Sequence, residues 1–436
     1  MPTKCILILL DGIGDRACEK LKGKTPLQAA RTPALDKLSE KGSNGLYHAA
    51  LPGQALPSEN AHFIMFGYDI SEFPGRGALE ALGMDMELSK EEVAVLSHFV
   101  SIRESENTLI LEDGKPSAQD KEIAELTAEI DRFQIQGLKI RFVPAGGIRG
   151  IVTLQGDVSR FITDSDPFIN GRPLINILPW DEYRNDRASV RTANALKTYL
   201  LHSYKKLNAH RINRSRIKNG HLPLNGLVTQ RSGQLKKPTP FTEKYGLRGL
   251  TIASGNVYWG LGKYLGLDVQ KVQDTKNPGR DMSRRIQLAC DALNDYDFIH
   301  IHTKAPDEAG HNKDSQLKKS VIESLDRGIA EAIDPLMNNP EILIVVTADH
   351  STPSSGPLVH SGESVPILFY GRGVRKDSVR RFDEVSASPG ALGNMRGREL
   401  IYMILNHLDR SKLFGIMDTP VDQPYWPGEY ETLKLK

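Results

Sequence analysis

The stretch TADHSTPSSGPLVHSG, residues 347–362, carries Asp349, His350 and His360 close together. It directly follows EILIVV, a run that is apolar without alternation and reads as a buried strand. Two other strand-like runs end in the same kind of residue. ILILL runs into Asp11, and FIHIHT leads into KAPDEAGH, with Asp307 and His311. Carboxylates and imidazoles without thiolate suit zinc or manganese, and in part magnesium. Three of each would serve two divalent ions, with further ligands supplied by substrate. Two ions about 4 Å apart can activate a nucleophile and hold the entering and leaving oxygens of a phosphoryl displacement. Ser58, in ALPSENAHF at an apparent helix start, is the candidate nucleophile. Backbone N–H groups at such a place favour phosphate, and a bound metal ionises a hydroxyl that is otherwise protonated. Each signal also has an ordinary reading. A strand-ending Asp is commonly a turn residue, an Asp and a His four apart commonly face solvent, and Ser58 is well placed as a helix cap.

The elements that carry these residues turn scattered signals into a set. In parallel α/β sheets the carboxyl ends of the strands line one edge, and ligands bind there. KCILILLDGIGD reads as a strand entering a Gly-rich turn. TPALDKLSEKG (32–42) reads as a helix with Thr32 as N-cap, Pro33 at the first position and Gly42 closing it. From about 247 the rhythm is α/β: LRGLTIA, VYWGLGKYLGL, DFIHIHTK, LKKSVIESLDRGIAEAIDPLM (317–337), EILIVVTADH and VPILFYG. That alternation predicts a parallel sheet covered on both faces. The middle differs. VAVLSHFVSI and NTLILEDG read as strands, 119–133 as an amphipathic helix, and 138–156 as two strands joined at Gly146–Gly147. The expected architecture is an α/β core domain, 1–88 plus 244–436, interrupted by an α+β domain over 89–243. SYKKLNAHRINRSRIKNG (203–220) is a basic helix or loop, either a solvated face or an anion-attracting rim. The Pro- and aromatic-rich tail is expected to lie along the surface.

Bulk properties exclude more than they assign. The chain has 436 residues, 39% hydrophobic and 25% charged, which is ordinary globular composition. A net charge of +2 gives no argument for a nucleic-acid partner or an acidic membrane surface. Cys5, Cys18 and Cys290 are odd in number and lack ligand spacing, which fits a reducing cytoplasm. CILILL is too short for a signal or a span, and no apolar run elsewhere reaches span length. Oligomeric state is left open.

LLDGIGDR, GKTPLQAARTPALDKL, PSENAHFIMFGYD, GRGALEALG, KAPDEAGH, TADHSTP and HSGESVPILFYG together resemble the archaeal-type, cofactor-independent phosphoglycerate mutases of the alkaline phosphatase superfamily. The match spans both parts of the core, over half the chain. The resemblance implies an alkaline-phosphatase-like core sheet flanked by helices, with an inserted lid. It implies that Ser58 takes up a phosphoryl group and returns it to a different hydroxyl of a small anionic substrate. Asp11, Asp349 and His350 would hold one metal with Ser58; Asp307, His311 and His360 would hold the other. Lys244 in TEKYGL and Arg76 in GRG would meet phosphate, and His62 completes the nucleophile motif.

Departures cluster in the inserted domain. An arginine-rich stretch expected near 112–120 reads EDGKPSAQD, and Ser97 and His98 replace an FRCNF-like strand. Gln230 precedes Arg231, and TDSDPF keeps Asp164 and Asp166 but loses a histidine. Arginine forks are the natural clamp for carboxylate and phosphate, so the clamp would be rebuilt, with Arg149, Arg160, Arg187, Arg191 and Arg231 as candidates. The expectation is a phosphoglycerate mutase or a close phosphomutase variant. The alternative is a phosphate or phosphonate ester hydrolase on the same metals.

Overall fold

A computed structural model describes residues 1–435. The chain divides into two compact units, Met1–Phe73 with the chain from Pro238 onward, and Pro74–Lys237. The divisions therefore fall earlier than the expected 88/89 and 243/244. The helix Arg76–Gly83 goes with the second unit because its glycines let backbone meet backbone. A Cβ on Gly77 would lie 2.1 Å from the Ala94 carbonyl oxygen. The helix Phe241–Tyr245 goes with the first, where Tyr245 Oη donates to the Gly67 carbonyl at 2.9 Å. Among the described residues, no helix is long and apolar enough to cross a membrane.

The first unit is built on an eight-stranded sheet. Its order is Asp268–Lys271, Gly249–Ala253, Phe298–Thr303, Lys4–Leu10, Ile342–Thr347, Val365–Tyr370, Ser43–His48, Gly393–Arg396. The first five strands run parallel. Their register aligns the strand ends. Leu10 lies opposite Thr303, and Leu9 opposite Thr347, so three neighbouring strands end level. Residues 298–303 and 342–347 are buried throughout, histidines His300 and His302 included, as strands in the middle of a covered parallel sheet are.

The sheet is not wholly parallel, contrary to expectation. Val365–Tyr370 runs antiparallel to both its neighbours. The connection over 348–364 contains no helix, so the chain re-enters the sheet from the edge it left and points the other way. A parallel return needs a crossover. The long helix is also shorter than read. It spans Ser315–Ala332 and a second short helix, Asp334–Met337, comes after it, with Pro335 in its first turn. Proline lacks the N–H that would continue the first ladder.

The second unit has its own sheet, ordered Thr108–Asp113, Glu92–Ser105, Arg149–Gln155, Leu138–Gly146, Arg132–Ile135, with Gly226–Gln234 also pairing Glu92–Ser105. The strands 138–146 and 149–155 are antiparallel and turn at Gly146–Gly147, both at positive φ. The expected helix 119–133 stops at Ala128; 132–135 is instead a strand whose Phe133 and Ile135 pack on the core. The basic segment is two helices, Arg187–Asn208 and Arg211–Lys218. The first buries Ala193, Leu196, Tyr199 and Leu207 on that core, as its 3–4 residue spacing demands.

Candidate metal centre

The level strand ends bring the clusters together. Asp11 follows one strand, Asp349 and His350 follow its neighbour, and the short helix Ala305–His311 after the third carries Asp307. His350 Nε2 lies 3.5 Å from Asp11 Oδ1 and 3.1 Å from Asp349 Oδ2. Asp307 is approached by His311 Nε2 at 3.2 Å and His360 Nε2 at 3.4 Å. The His350 and His360 rings stack at 3.8 Å. The antiparallel return is what brings His360 back: its Nδ1 donates to the Leu56 carbonyl at 2.7 Å, which turns Nε2 toward Asp307.

Ser58 is not a cap. Pro57 takes the N-cap position, and Ser58 opens the helix Ser58–Met65 with no capping bond. Its hydroxyl, on a residue only 4% exposed, instead lies 2.9 Å from His350 Nε2. Proline before the helix thus releases the serine side chain for another partner. One turn on, His62 Nδ1 donates to the Ser58 carbonyl at 2.8 Å and stands 3.4 Å from Asp349 Oδ2.

The electrostatics call for a cation. The side chains of Asp11, Asp307 and Asp349 are fully buried. Burial, then the charges of Asp349 and Asp307, push the Asp11 carboxyl well above its usual range. Burial acts the same way on Asp349 and Asp307 but is outweighed. His350 and His62 hold Asp349 down, and His311, His360, His350 and Lys304 hold Asp307 well below the ordinary range. Burial pulls the His350 imidazole down to about 4, so at neutral pH it presents a lone pair. Asp11 Oδ1, Asp307 Oδ2, Asp349 Oδ2 and His360 Nε2 are all buried without a hydrogen-bond partner. Buried carboxylate oxygens that lack a hydrogen-bond donor are unfavourable, and coordination by a metal is the usual resolution. Candidate ligand triads are Asp11–Asp349–His350, Asp307–His350–His360 and Asp11–His62–His302, each with atoms within 4.8 Å of one another. The O/N donor set fits divalent metal.

Sequence reading missed the residues that hold this arrangement. Gly12, at φ +63°, donates its N–H to Asp349 Oδ1 at 3.0 Å; a Cβ there would meet Thr352 Oγ1 at 2.5 Å. Thr352 Oγ1 donates to Asp307 Oδ1 at 2.6 Å. Lys318, fully buried, donates to the carbonyls of Gly14 and Thr352 and to Asp15 Oδ2. Tyr258 and His302 contact Asp11. A lysine at a core-facing helix position and a Gly immediately after a strand-ending Asp were the available signals.

The residues expected to meet substrate are held within their own units. Lys244 Nζ lies 4.1 Å from the Tyr68 ring centroid and 4.0 Å from Glu72 Oε2, and burial lowers its pKa. In the second unit, Arg76 Nε donates to Glu80 at 3.0 Å. Asp164, Asp166 and Arg231 do form a group there. Asp164 Oδ1 accepts the Arg231 N–H at 2.6 Å, Asp166 accepts from Gln230 Nε2, and His98 Nε2 lies 3.9 Å from Asp166. Arg231 sits at φ 51°, a left-handed conformation that Asp164 steadies.

The sequence matches the Metalloenzyme superfamily over residues 3–407. It is 40% identical over 436 residues to 2,3-bisphosphoglycerate-independent phosphoglycerate mutase 2 of Methanocaldococcus jannaschii, covering 98% of each chain. It is 36% identical over 427 residues to the 2,3-bisphosphoglycerate-independent phosphoglycerate mutase of Methanopyrus kandleri, covering 95% of this chain and 99% of that one. The solved cofactor-independent phosphoglycerate mutase from Thermoplasma acidophilum aligns with a TM-score of 0.62 at 31% identity, over 93% of this chain and 99% of that one. The buried carboxylate–imidazole cluster at three level strand ends therefore sits in a chain that belongs to the metalloenzyme superfamily and, within it, to the 2,3-bisphosphoglycerate-independent phosphoglycerate mutases.

Proposed function

We propose that this chain interconverts 3-phosphoglycerate and 2-phosphoglycerate through a phosphoserine on Ser58. The observation that supports this most is the Ser58 hydroxyl, uncapped, buried and 2.9 Å from His350 Nε2 beside three buried carboxylates. Ser58 Oγ attacks phosphorus as the bond from phosphorus to the substrate oxygen breaks. The freed substrate oxygen takes up a proton in place of the one Ser58 gave up. The second hydroxyl of the same glycerate then loses its proton as it attacks the phosphoserine, and the departing Ser58 oxygen takes a proton back. We assign Asp11, Asp349, His350 and Ser58 to one divalent ion and Asp307, His311 and His360 to a second, each manganese, zinc or magnesium. When bound, such ions lower the proton affinity of the serine hydroxyl and offset charge on the phosphoryl oxygens. The chain's own part is to hold its carboxylates dry and fixed, which strengthens each charge that acts on the phosphoryl group.

Lys244, Arg76, Asp164, Asp166 and Arg231 are assigned to substrate recognition, in place of the arginine-rich stretch absent from 112–120. The core role is assigned to the first compact unit, and the lid role expected of 89–243 is assigned to the second, Pro74–Lys237. A glycolytic acid is met in the cytoplasm, and the protein is assigned there.

The test is incubation of metal-loaded protein with 3-phosphoglycerate. Formation of 2-phosphoglycerate without release of phosphate is expected. Inorganic phosphate with free glycerate would replace the mutase reading by a hydrolase. Ser58→Ala is expected to abolish turnover, and full activity in that variant would remove Ser58 from the mechanism.

A further inference from the structure

The two oxygens of Asp11 are in different surroundings. Oδ1 is buried without a hydrogen-bond partner, on the side of His350 Nε2 at 3.5 Å. Oδ2 accepts two hydrogen bonds, from Tyr258 Oη at 2.6 Å and from His302 Nε2 at 3.0 Å. With a metal ion on Oδ1 the Asp11 carboxylate would be ionised and only accept, and His302 would carry its proton on Nε2. The two donor rings lie against each other, centroids 3.9 Å apart, with His62 5.0 Å from Tyr258 and 5.1 Å from His302. Tyr258 is 2% exposed and His302 fully buried.

Separate elements fix both donors. His302 lies in the strand next to that of Asp11, directly opposite Leu9. Tyr258 lies in the first turn of the helix Asn256–Leu265. Turning the Asp11 carboxylate over, or drawing both its oxygens to one side, would strand a buried hydroxyl and a buried imidazole N–H without water to replace the acceptor. Asp349 and Asp307 are held otherwise. Asp349 Oδ1 takes the backbone N–H groups of Gly12 and His350, and Asp307 Oδ1 takes the Thr352 hydroxyl.

We propose that Tyr258 and His302 are positioning residues that present Asp11 to metal through Oδ1 alone, and so set the affinity of the Asp11 ion without acting on the Asp307 ion. The proposal rests on the metal assignment under Proposed function and adds which oxygen binds and what selects it. It also gives the Asp11–His62–His302 group a structural meaning: His302 is a donor to Asp11 and not a ligand to a third ion.

The test is Mn²⁺ binding to the full-length, metal-stripped protein by equilibrium dialysis and calorimetry, with metal-free melting measured beside it. Asp307→Asn in the same background identifies which affinity belongs to which site. Wild type is expected to bind two equivalents. Tyr258→Phe and His302→Leu are expected to weaken the Asp11 site by roughly 10- to 100-fold, the range for loss of a group that orients a ligand. The Asp307 site should stay within about 3-fold, since its own orienting donor, Thr352, is untouched. His302→Gln keeps an amide donor near the Nε2 position and is expected to recover most of the loss. A general packing defect would weaken both sites and lower the metal-free melting point, and that result overturns the proposal. So does unchanged affinity in Tyr258→Phe or His302→Leu, while leaving the metal assignment standing. A third equivalent lost in His302→Gln would overturn it by making His302 a ligand. Wild type that binds no Mn²⁺ would instead remove the metal assignment on which the proposal rests.

Discussion

Replacing Lys318 by methionine should loosen the metal centre from a distance, and the size of the effect can be worked from the structure. Lys318 projects from the helix Ser315–Ala332 with its side chain fully buried. Its ammonium donates to the Gly14 carbonyl at 2.8 Å, the Thr352 carbonyl at 2.7 Å and Asp15 Oδ2 at 3.1 Å. Asp15 in turn accepts the Ser354 N–H. One cation therefore ties the loop after Asp11 to the loop after Asp349. Methionine fills the space but donates nothing, leaving a buried carboxylate without its cation. Breaking a buried pair by removing one partner costs about 3–5 kcal/mol. For a unit of about 270 residues, unfolding entropy near 2 cal/mol/K per residue makes each degree worth about 0.6 kcal/mol. The expected fall in Tm is about 5–9 °C, read by calorimetry on metal-free protein, with weaker binding at both metal sites. Asp15→Asn combined with Lys318→Met removes both charges and should recover part of the loss, because a neutral pair carries no stranded ion. A single variant melting within about 2 °C of wild type would refute the reasoning. So would a double variant no more stable than the single one.

Three further outcomes are expected from other features. Gly12→Ala should lose more than about 1 kcal/mol and most metal affinity, because Gly12 needs φ +63° and its Cβ would strike Thr352 and Asp307; unaltered melting and metal content would contradict this. Glu384 accepts from Thr25 Oγ1 and the Asp15 N–H, and burial pushes its carboxyl from 4.5 up to about 7. The unfolded chain gives up this proton first, so stability should fall as pH rises from about 4.5 to about 7; Glu384→Gln should remove that slope, worth at most about 3 kcal/mol, and parallel curves for the two proteins would exclude it. Chelation should abolish mutase activity and lower Tm, and Mn²⁺ or Zn²⁺ should restore both; activity in metal-stripped protein would exclude metal from the reaction.

Much of the centre was legible because its signals are local. A buried strand shows as an apolar run, and a polar residue that ends it is conspicuous. Asp11, Asp307, Asp349 and His350 could be placed at one edge because parallel neighbours end on the same side, whatever their separation in sequence. His360 was legible as a histidine in a turn-rich loop, but what returns it to Asp307 is the antiparallel strand after it, which apolarity alone could not orient. Ser58 was conspicuous for its setting, but whether it caps the helix depends on backbone angles at Pro57 that the sequence does not show.

The sequence by itself determined the donor types, their attachment to strand ends and the α/β class, since each depends on side-chain chemistry and on periodicity within a few residues. Only the tertiary structure decided which groups hold those donors still. Tyr258 reaches Asp11 across 247 positions, and Lys318 reaches Gly14 across 304. Periodicity reports which way a side chain faces within its own element. What it meets there depends on the register and packing of elements far away in the chain, and that is settled only when the chain folds.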